Sequence, residues 1–346
     1  ITVGKGANSV AGNTVLGETA LDASVSGGNN TAIGKDTLTA LTSGARNVAV
    51  GANAGDAITT GSNNTAVGKG SLSTATTASN NSAFGESALN QNSSGANNTA
   101  VGYDSLGANT TGASNVSVGA YSLDANTTGG NNVGIGINSL SQNTTASDNV
   151  AIGAGAMDSN TTGAQNTAVG RGALDLNTTA DNNTAIGYNT LDANTTGALN
   201  TAVGASALGG NTTASNNTAV GAAALVANTT GNQNTAVGAS ALDANTTGLN
   251  NSCLGQGALG SNTTGNNNTA IGRFALNENT TGIENVAVGL SALRVNSTAN
   301  YNVAIGKSAL ELNTTGTQNV SVGAFSLDAN ATGNNNTGLG TSTLGA

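Results

Sequence analysis

The sequence predicts an all-β protein, built as a parallel β-solenoid of about twenty 17-residue coils. The first observation is that glycine recurs every 17 residues from Gly17 to Gly340 without a slip, giving twenty glycines in strict register. Self-similarity at a fixed period is typical of repeat architectures. The second is that 17 residues are too few for a pair of helices with their turns. The third is that the residues before each glycine alternate with period two, as short strands do.

Each coil can be written from its periodic glycine, counted as position 0. The consensus is G-x-x-[AST]-L-x-x-N-T-T-[GA]-x-x-N-[TV]-[AS]-[VI], and its N-[TV]-[AS]-[VI] segment predicts the strand. Position +4 is leucine in eighteen of twenty coils, with Gly55 and Met157 as the exceptions. Asparagine fills position +13 in every coil and position +7 in fifteen successive coils. The glycines at 0 and +10 are predicted to take turn conformations that are closed to other residues.

The repeat pattern also sets the predicted domain organisation. We predict a single repeat domain over 1–346, with a short first coil at 4–16, regular 17-residue coils from 17 to 340 and a partial coil at 341–346. Because the chain starts and stops inside repeats, we expect it to be a segment of a longer protein or a product processed at both ends.

Identical positions of a parallel solenoid stack about 4.8 Å apart, so the repeat predicts ladders of like side chains. Asparagines in such a stack can hydrogen-bond amide to amide. In the strand, positions +14 and +16 share one face, and we predict that this face packs inward with the +4 leucine. The ladder residues expected in the middle coils are Asn166, Asn183, Asn200, Leu174, Leu191, Leu208, Val169, Ile186 and Val203.

Position +15 would then point outward, yet it never carries a charge or a side chain larger than valine. It holds fourteen alanines and, in one coil, the only cysteine of the chain, Cys253. Either the far wall of a thin solenoid or another copy of the chain must face it. We favour assembly, since three large apolar side chains per coil make a thin core. The interface candidates are Ala219, Ala236, Cys253 and Ala270.

Several stretches resemble a known family. The segments GKGANSVAGNTVLG (4–17) and NVAIG (149–153 and 302–306) resemble the head repeats of trimeric autotransporter adhesins of the YadA type. The longer NTAVGxxALxxNTTGxxN unit is similar to repeats of bacterial surface proteins and phage tail fibres. The resemblance implies a left-handed parallel β-roll in which three chains pack side by side. It departs from the family in coil length, because the family has about 14 residues per coil where this chain has 17, and the extra residues fall at N-T-T-G.

The residue inventory argues against catalysis. With no histidine and one cysteine, neither a catalytic triad nor a histidine-based metal site can be built, so we predict a non-enzyme with no cofactor. Aspartates at position +5 of consecutive coils give one weak calcium candidate, formed by Asp158, Asp175 and Asp192. A solvated edge is the favoured interpretation of that row. A net charge of −9 and the lack of a basic patch disfavour nucleic acid. No apolar run is long enough to insert into a membrane.

The predicted function is structural: a stiff extracellular fibre or adhesin segment on a cell surface or a virion, used for attachment or display. Its expected partner is itself, as a homotrimer or, alternatively, as an end-to-end filament subunit. An ice-binding solenoid is less favoured, because the adjacent +8 and +9 threonines cannot share a strand face. A surface receptor or glycan would meet the variable positions, which carry scattered aromatics: Tyr103, Tyr121, Phe274, Tyr301 and Phe325. The N-T-T triplets, such as Asn109-Thr110-Thr111, also match glycosylation sequons.

Overall fold

The computed structural model describes residues 2–344, which form β-strands and turns and contain no helix. They divide into two compact units, one of residues 2–172 and 177–179 and the other of 173–176 and 180–344. The strands of the first unit are β1 (Thr2–Gly4), β2 (Thr14–Gly17), β3 (Thr31–Ile33), β4 (Val48–Val50), β5 (Thr65–Val67), β6 (Ser82–Phe84), β7 (Thr99–Val101), β8 (Val116–Val118), β9 (Val133–Ile135), β10 (Val150–Ile152) and β11 (Thr167–Val169). Those of the second are β12 (Thr184–Ile186), β13 (Thr201–Val203), β14 (Thr218–Val220), β15 (Thr235–Val237), β16 (Ser252–Leu254), β17 (Thr269–Ile271), β18 (Val286–Val288), β19 (Val303–Ile305), β20 (Val320–Val322) and β21 (Thr337–Leu339).

Each unit is a parallel β-solenoid with 17 residues per turn. From β2 onward, successive strands within a unit pair in parallel and in register, so that equal repeat positions lie opposite each other. Ala202 lies opposite Ala219 and Val203 opposite Val220, for example. The predicted fold class and coil length are therefore confirmed for both units, while the single repeat domain stays a prediction.

The N-terminal strand departs from this pattern. Strand β1 pairs with β2 in the antiparallel sense, with Val3 opposite Leu16. The interval expected to be a short first coil is thus preceded by a strand that runs antiparallel to its neighbour in the first unit. Strand β3 occupies the other edge of β2, so β1 covers the edge that no coil precedes.

Glycine is needed at position 0 for two reasons. The periodic glycines have positive φ, such as 140° at Gly187 and 130° at Gly204. A Cβ atom on Gly187 would also lie 2.7 Å from the carbonyl oxygen of Gly204 in the next coil. The prediction for position +10 is wrong, because glycines there, such as Gly197, have no positive φ. Alanine replaces glycine at +10 in other coils, for example at Ala214, although a Cβ atom added to Gly197 as it stands would overlap the carbonyl oxygen of Ala214.

The core of each coil is narrow and rests on the +4 leucine. Leu174, Leu191 and Leu208 are fully buried, as predicted. Every +4 leucine also adopts a left-handed backbone conformation, with φ between 46° at Leu21 and 56° at Leu174. Left-handed conformations cost an L-residue about 1–2 kcal/mol. Burial of the leucine side chain, which contributes about 1.5–3 kcal/mol, offsets that cost.

The prediction of which strand face lies inside is wrong. Position +15 points into the coil, where Ala168, Ala185 and Ala202 have no exposed surface. Positions +14 and +16 point outward, so Val169, Ile186 and Val203 are not core residues, and Ile186 is 40% exposed. The interior is so narrow that only a small side chain fits opposite the +4 leucine.

Candidate functional site

Two asparagine ladders run through the interior. The +7 amides stack so that Nδ2 of Asn211 donates to Oδ1 of Asn194 at 2.9 Å. The +13 amides stack likewise: the backbone N–H of Asn200 donates to Oδ1 of Asn183 at 3.0 Å, and Nδ2 of Asn200 donates to the same atom at 3.2 Å. In the first unit, Nδ2 of Asn166 donates to Oδ1 of Asn149 at 3.3 Å. The predicted ladder is confirmed at Asn166, Asn183 and Asn200, all of which are buried.

The two ladders are joined through the carbonyl oxygen at position +10. The carbonyl of Ala214 accepts from Nδ2 of Asn211 in its own coil at 3.0 Å and from Nδ2 of Asn200 in the preceding coil at 2.9 Å. Buried amides satisfied in this way stabilise the fold, whereas an unpaired buried amide would cost about 1–3 kcal/mol. Early coils fill position +7 differently, with Leu41 and Ile58 buried in the same place.

The small residues at position +15 do not face another chain. Ala219, Ala236, Cys253 and Ala270 lie inside the coil of their own chain and are at most 2% exposed, so their assignment as interface candidates is wrong. Cys253 is a free thiol, and burial raises its pKa far above the ordinary value. It packs where alanine packs in the neighbouring coils and is shielded from oxidants and partners alike.

The strand face that does meet solvent is made of positions +14 and +16, and we call it the outer strand face. It carries a threonine, valine or serine column beside a column of valine, isoleucine, leucine or phenylalanine. Its +16 side chains include Val220, 36% exposed, and Ile271, 41% exposed. Contiguous apolar surface of this kind marks interaction sites in soluble proteins. The outer strand face is therefore the candidate interface.

The aspartate row gives no support for a calcium site. Among residues 2–344 no group of three histidine, cysteine or acidic side chains is arranged to hold a metal ion. Asp158 accepts a hydrogen bond from the hydroxyl of Ser141 in the preceding coil. Burial raises the pKa of Asp192, and Asp175 has polar interactions of its own.

The aromatic side chains on the turns have distinct surroundings. Tyr103 and Tyr121 are exposed and form an edge-to-face pair, with ring centroids 5.3 Å apart. Tyr301 and Phe325 are exposed. Phe274 is half-buried and lines an open cavity of about 500 Å³ in the second unit.

That cavity, which we call the Phe274 notch, spans three consecutive coils. Ser240 and Asp243 belong to the first coil, Gly257 and Gly260 to the second, and Phe274 and Asn277 to the third. Sequence reasoning missed the notch, although it has a signal. The middle coil is the only one in the chain with glycine at both +2 and +5.

The described residues contain no helix that is long and apolar enough to cross a membrane. Comparison with models of known protein families finds no match, and comparison with curated proteins finds none either.

Proposed function

We propose that this chain is a non-enzymatic structural segment of an extracellular fibre or adhesin, located on a cell surface or virion, and that it assembles as a parallel homotrimer through its outer strand faces. The observation that carries the proposal is the outer strand face itself. Valine and isoleucine side chains stack there in register from coil to coil and stay partly exposed in the single chain.

The chemistry of the face favours a second copy as its occupant. In every coil this face presents only Thr, Val or Ser at +14 and only Val, Ile, Leu or Phe at +16, with no charged residue in forty positions. An isolated strand surface facing water would normally be interrupted by charges. Copies of the same chain have the same coil spacing. The +14 and +16 side chains of one copy can therefore pack between those of another along the contact. The resemblance to trimeric adhesin heads supports three chains and a left-handed coil.

The test is the mass of the purified protein in solution, measured by light scattering. We expect a mass of three chains. Replacing Val220 and Ile271 with glutamate places charges in the contact and should reduce the mass to one chain. Leu249→Glu is the matched control, because Leu249 is a similarly exposed apolar residue on a turn. A single-chain mass for the unaltered protein would contradict the trimer, and a mass that grows with concentration without limit would favour the end-to-end filament.

One observation favours a second function for the same face. The consecutive coils with Thr184, Thr201, Thr218 and Thr235 place a column of threonines on an outward strand face at regular spacing. Such regular rows of hydroxyl and methyl groups suit an ordered water lattice, so an ice-binding solenoid gains support that the +8 and +9 threonines do not give. Thermal hysteresis in the single-chain Val220→Glu, Ile271→Glu variant and in the unaltered protein tests this. Ice binding would be favoured over trimer assembly by two results together. The unaltered protein would have the mass of one chain and show thermal hysteresis, and the variant would show none.

A further inference from the structure

The Phe274 notch owes its volume to two glycines in one coil. Its floor is formed by Gly257 and Gly260, which are buried. In most coils these positions carry polar side chains, such as Ser240 and Asp243 one coil earlier. Removing two side chains from one coil leaves a gap between the coils on either side. The gap has a volume of about 500 Å³, within the usual range of small-ligand sites.

The polar groups of the notch converge on its floor. If Gly260 carried a Cβ atom, that atom would lie 2.9 Å from Nδ2 of Asn277 and 3.3 Å from Oδ1 of Asp243. Nδ2 of Asn277 donates to the carbonyl oxygen of Gly257 at 2.7 Å, which fixes the amide in place. The second N–H and the Oδ1 of this amide can still bind a ligand, as can the carboxylate of Asp243 and the hydroxyl of Ser240.

Phe274 supplies the apolar wall. Two of its ring carbons lie 2.8 Å from where a Cβ of Gly257 would be, so the ring leans over the glycine. Arg273 places its guanidinium carbon over the ring, 4.6 Å from the ring centroid. Phe274 has a φ of 56°, as do the residues at the same repeat position in other coils, such as Tyr121 with 55° and Phe325 with 56°, so the repeat sets the direction in which the ring leaves the turn.

From this arrangement we propose that the Phe274 notch binds one saccharide ring, with a C–H face of the sugar against Phe274 and its hydroxyls bonded to Asp243 and Asn277. A pyranose presents apolar C–H groups on one face and hydroxyl donors and acceptors around its rim, which matches an aromatic wall beside a carboxylate and an amide. For its biological meaning, this inference rests on the proposed adhesin role.

The test uses fluorine NMR on the full chain labelled with 4-fluorophenylalanine. The chain has three phenylalanines, Phe84, Phe274 and Phe325, so Phe274 is one of three signals and the others are internal controls. The probes are methyl β-galactoside, methyl β-glucoside and N-acetylglucosamine, each titrated to about 50 mM because single sugar rings bind proteins in the millimolar range. We expect a saturable shift of the Phe274 signal with at least one of them, and no shift of the other two signals.

Two variants make the test specific. Gly260→Ser fills the floor and should abolish the shift. Serine is tolerated at +5 in other coils, for example at Ser73, and Gly260 has no positive φ to lose. Asp243→Asn should weaken binding about tenfold, in line with the loss of a charge-assisted hydrogen bond. Asp328→Asn is the matched control, since it changes an aspartate at the same repeat position elsewhere.

Three outcomes would overturn the proposal: no shift of Phe274 with any of the sugars, equal shifts of all three signals, or undiminished binding by Gly260→Ser. A response to choline chloride without a response to sugars would also overturn it, by assigning the notch to an organic cation. Light scattering on the same samples gives the number of chains. The failure of sugar binding is therefore distinguishable from the failure of trimer assembly.

Discussion

The +4 leucines from Leu21 to Leu327 are unusual at the residue scale, because they combine burial with a left-handed backbone. Ordinarily glycine in place of alanine lowers stability by about 0.5–1 kcal/mol. At a left-handed position we expect the glycine variant to be at least as stable as the alanine variant. Alanine still has to adopt an unfavourable backbone conformation there, whereas glycine adopts it without that cost. The chain contains its own precedent in Gly55, which occupies +4 with a φ of 57°.

We therefore predict that Leu191→Ala lowers the free energy of unfolding by about 2–5 kcal/mol, and that Leu191→Gly lowers it by no more than Leu191→Ala. Urea denaturation followed by circular dichroism measures both. Ile58 provides the control, because it is buried and its φ is not positive. At that position the glycine variant should be the less stable of the pair. If the glycine variant were less stable than the alanine variant at position 191, as expected at position 58, the prediction would be refuted.

Asp124 has a pKa raised to about 6, first by burial and also by the charges of Asp104 and Asp158. Its Oδ1 is buried and has no hydrogen-bond partner. Between pH 4 and 6 the folded protein therefore binds more protons at this group than the unfolded chain, so its contribution to stability falls as the pH rises through that window.

Asp124→Asn should accordingly stabilise the protein at pH 7 by about 1 kcal/mol, a figure reduced for solvent screening of a half-buried group. Near pH 4 the variant and the parent should unfold at the same temperature. Thermal unfolding at pH 4 and pH 7 tests this, with Asp328→Asn as the control at the same repeat position. A stabilisation that is equal at both pH values would show that ionisation is not the cause.

At the scale of the element, the +7 asparagine ladder has a beginning. Asn92 donates to the carbonyl oxygen of Gly95 and accepts from Asn109, so it has an amide neighbour on one side only. Asn109 has amide neighbours on both sides, because it also accepts from Asn126. In the three coils before Asn92 the same position is apolar, with Leu41, Ile58 and Ala75, so the site itself accepts an apolar side chain.

We predict that Asn109→Leu costs about 1–3 kcal/mol more than Asn92→Leu, the penalty of leaving one additional buried amide group without its partner. The difference in the free energy of unfolding between the two variants is the quantity to measure, and each serves as the other's size-matched control. Equal losses would mean that the amides act independently and do not form a ladder.

The sequence predicted the period, the strands and both asparagine ladders, because these follow from spacing and residue type alone. It did not predict which strand face lies inside. Alternation separates Ala185 from Thr184 and Ile186 but does not say which side is the core. The rule that β-branched residues lie inside failed because the interior opposite Leu191 is too thin for them. A better indication of the inward face was that position +15 never carries a side chain larger than valine in any of the twenty copies.

The site could be predicted less fully. The left-handed backbone of Leu191 follows from packing, and no propensity of leucine indicates it. The Phe274 notch needs three coils to be stacked before Asp243, Gly260 and Asn277 become neighbours, although the pair of glycines was visible in the sequence.

At the scale of the whole molecule, each unit is a series of coils that bond mainly to their neighbours, and the stability of such arrays is close to a sum over repeats and interfaces. Removing residues 205–221, which form one complete coil period, joins Gly204 to Ala222 and leaves every position in register. Removing 206–221 leaves the coil at the junction one residue short, so its repeat positions cannot all lie opposite the equal positions of the next coil.

We expect the 17-residue deletion to keep cooperative unfolding and protease resistance with a melting temperature close to that of the parent. The 16-residue deletion should acquire a protease-sensitive site at the junction and a lower melting temperature, because one interface between coils is lost there. Limited proteolysis with mass analysis of the fragments, together with thermal unfolding, distinguishes the two. If both deletions behave alike, the register described for the strands does not govern folding.

The in-register pairing of equal positions also has a consequence for the gene. Any duplication or loss of 17 consecutive codons preserves the pattern of inward and outward side chains, wherever in the repeat it begins, because every such window contains one of each position. Unequal recombination between near-identical stretches of DNA can therefore lengthen or shorten the array in whole steps without a folding defect. An exchange that copies three consecutive coils can also duplicate the Phe274 notch, so the number of ligand sites is a heritable quantity that can change while the fold is kept.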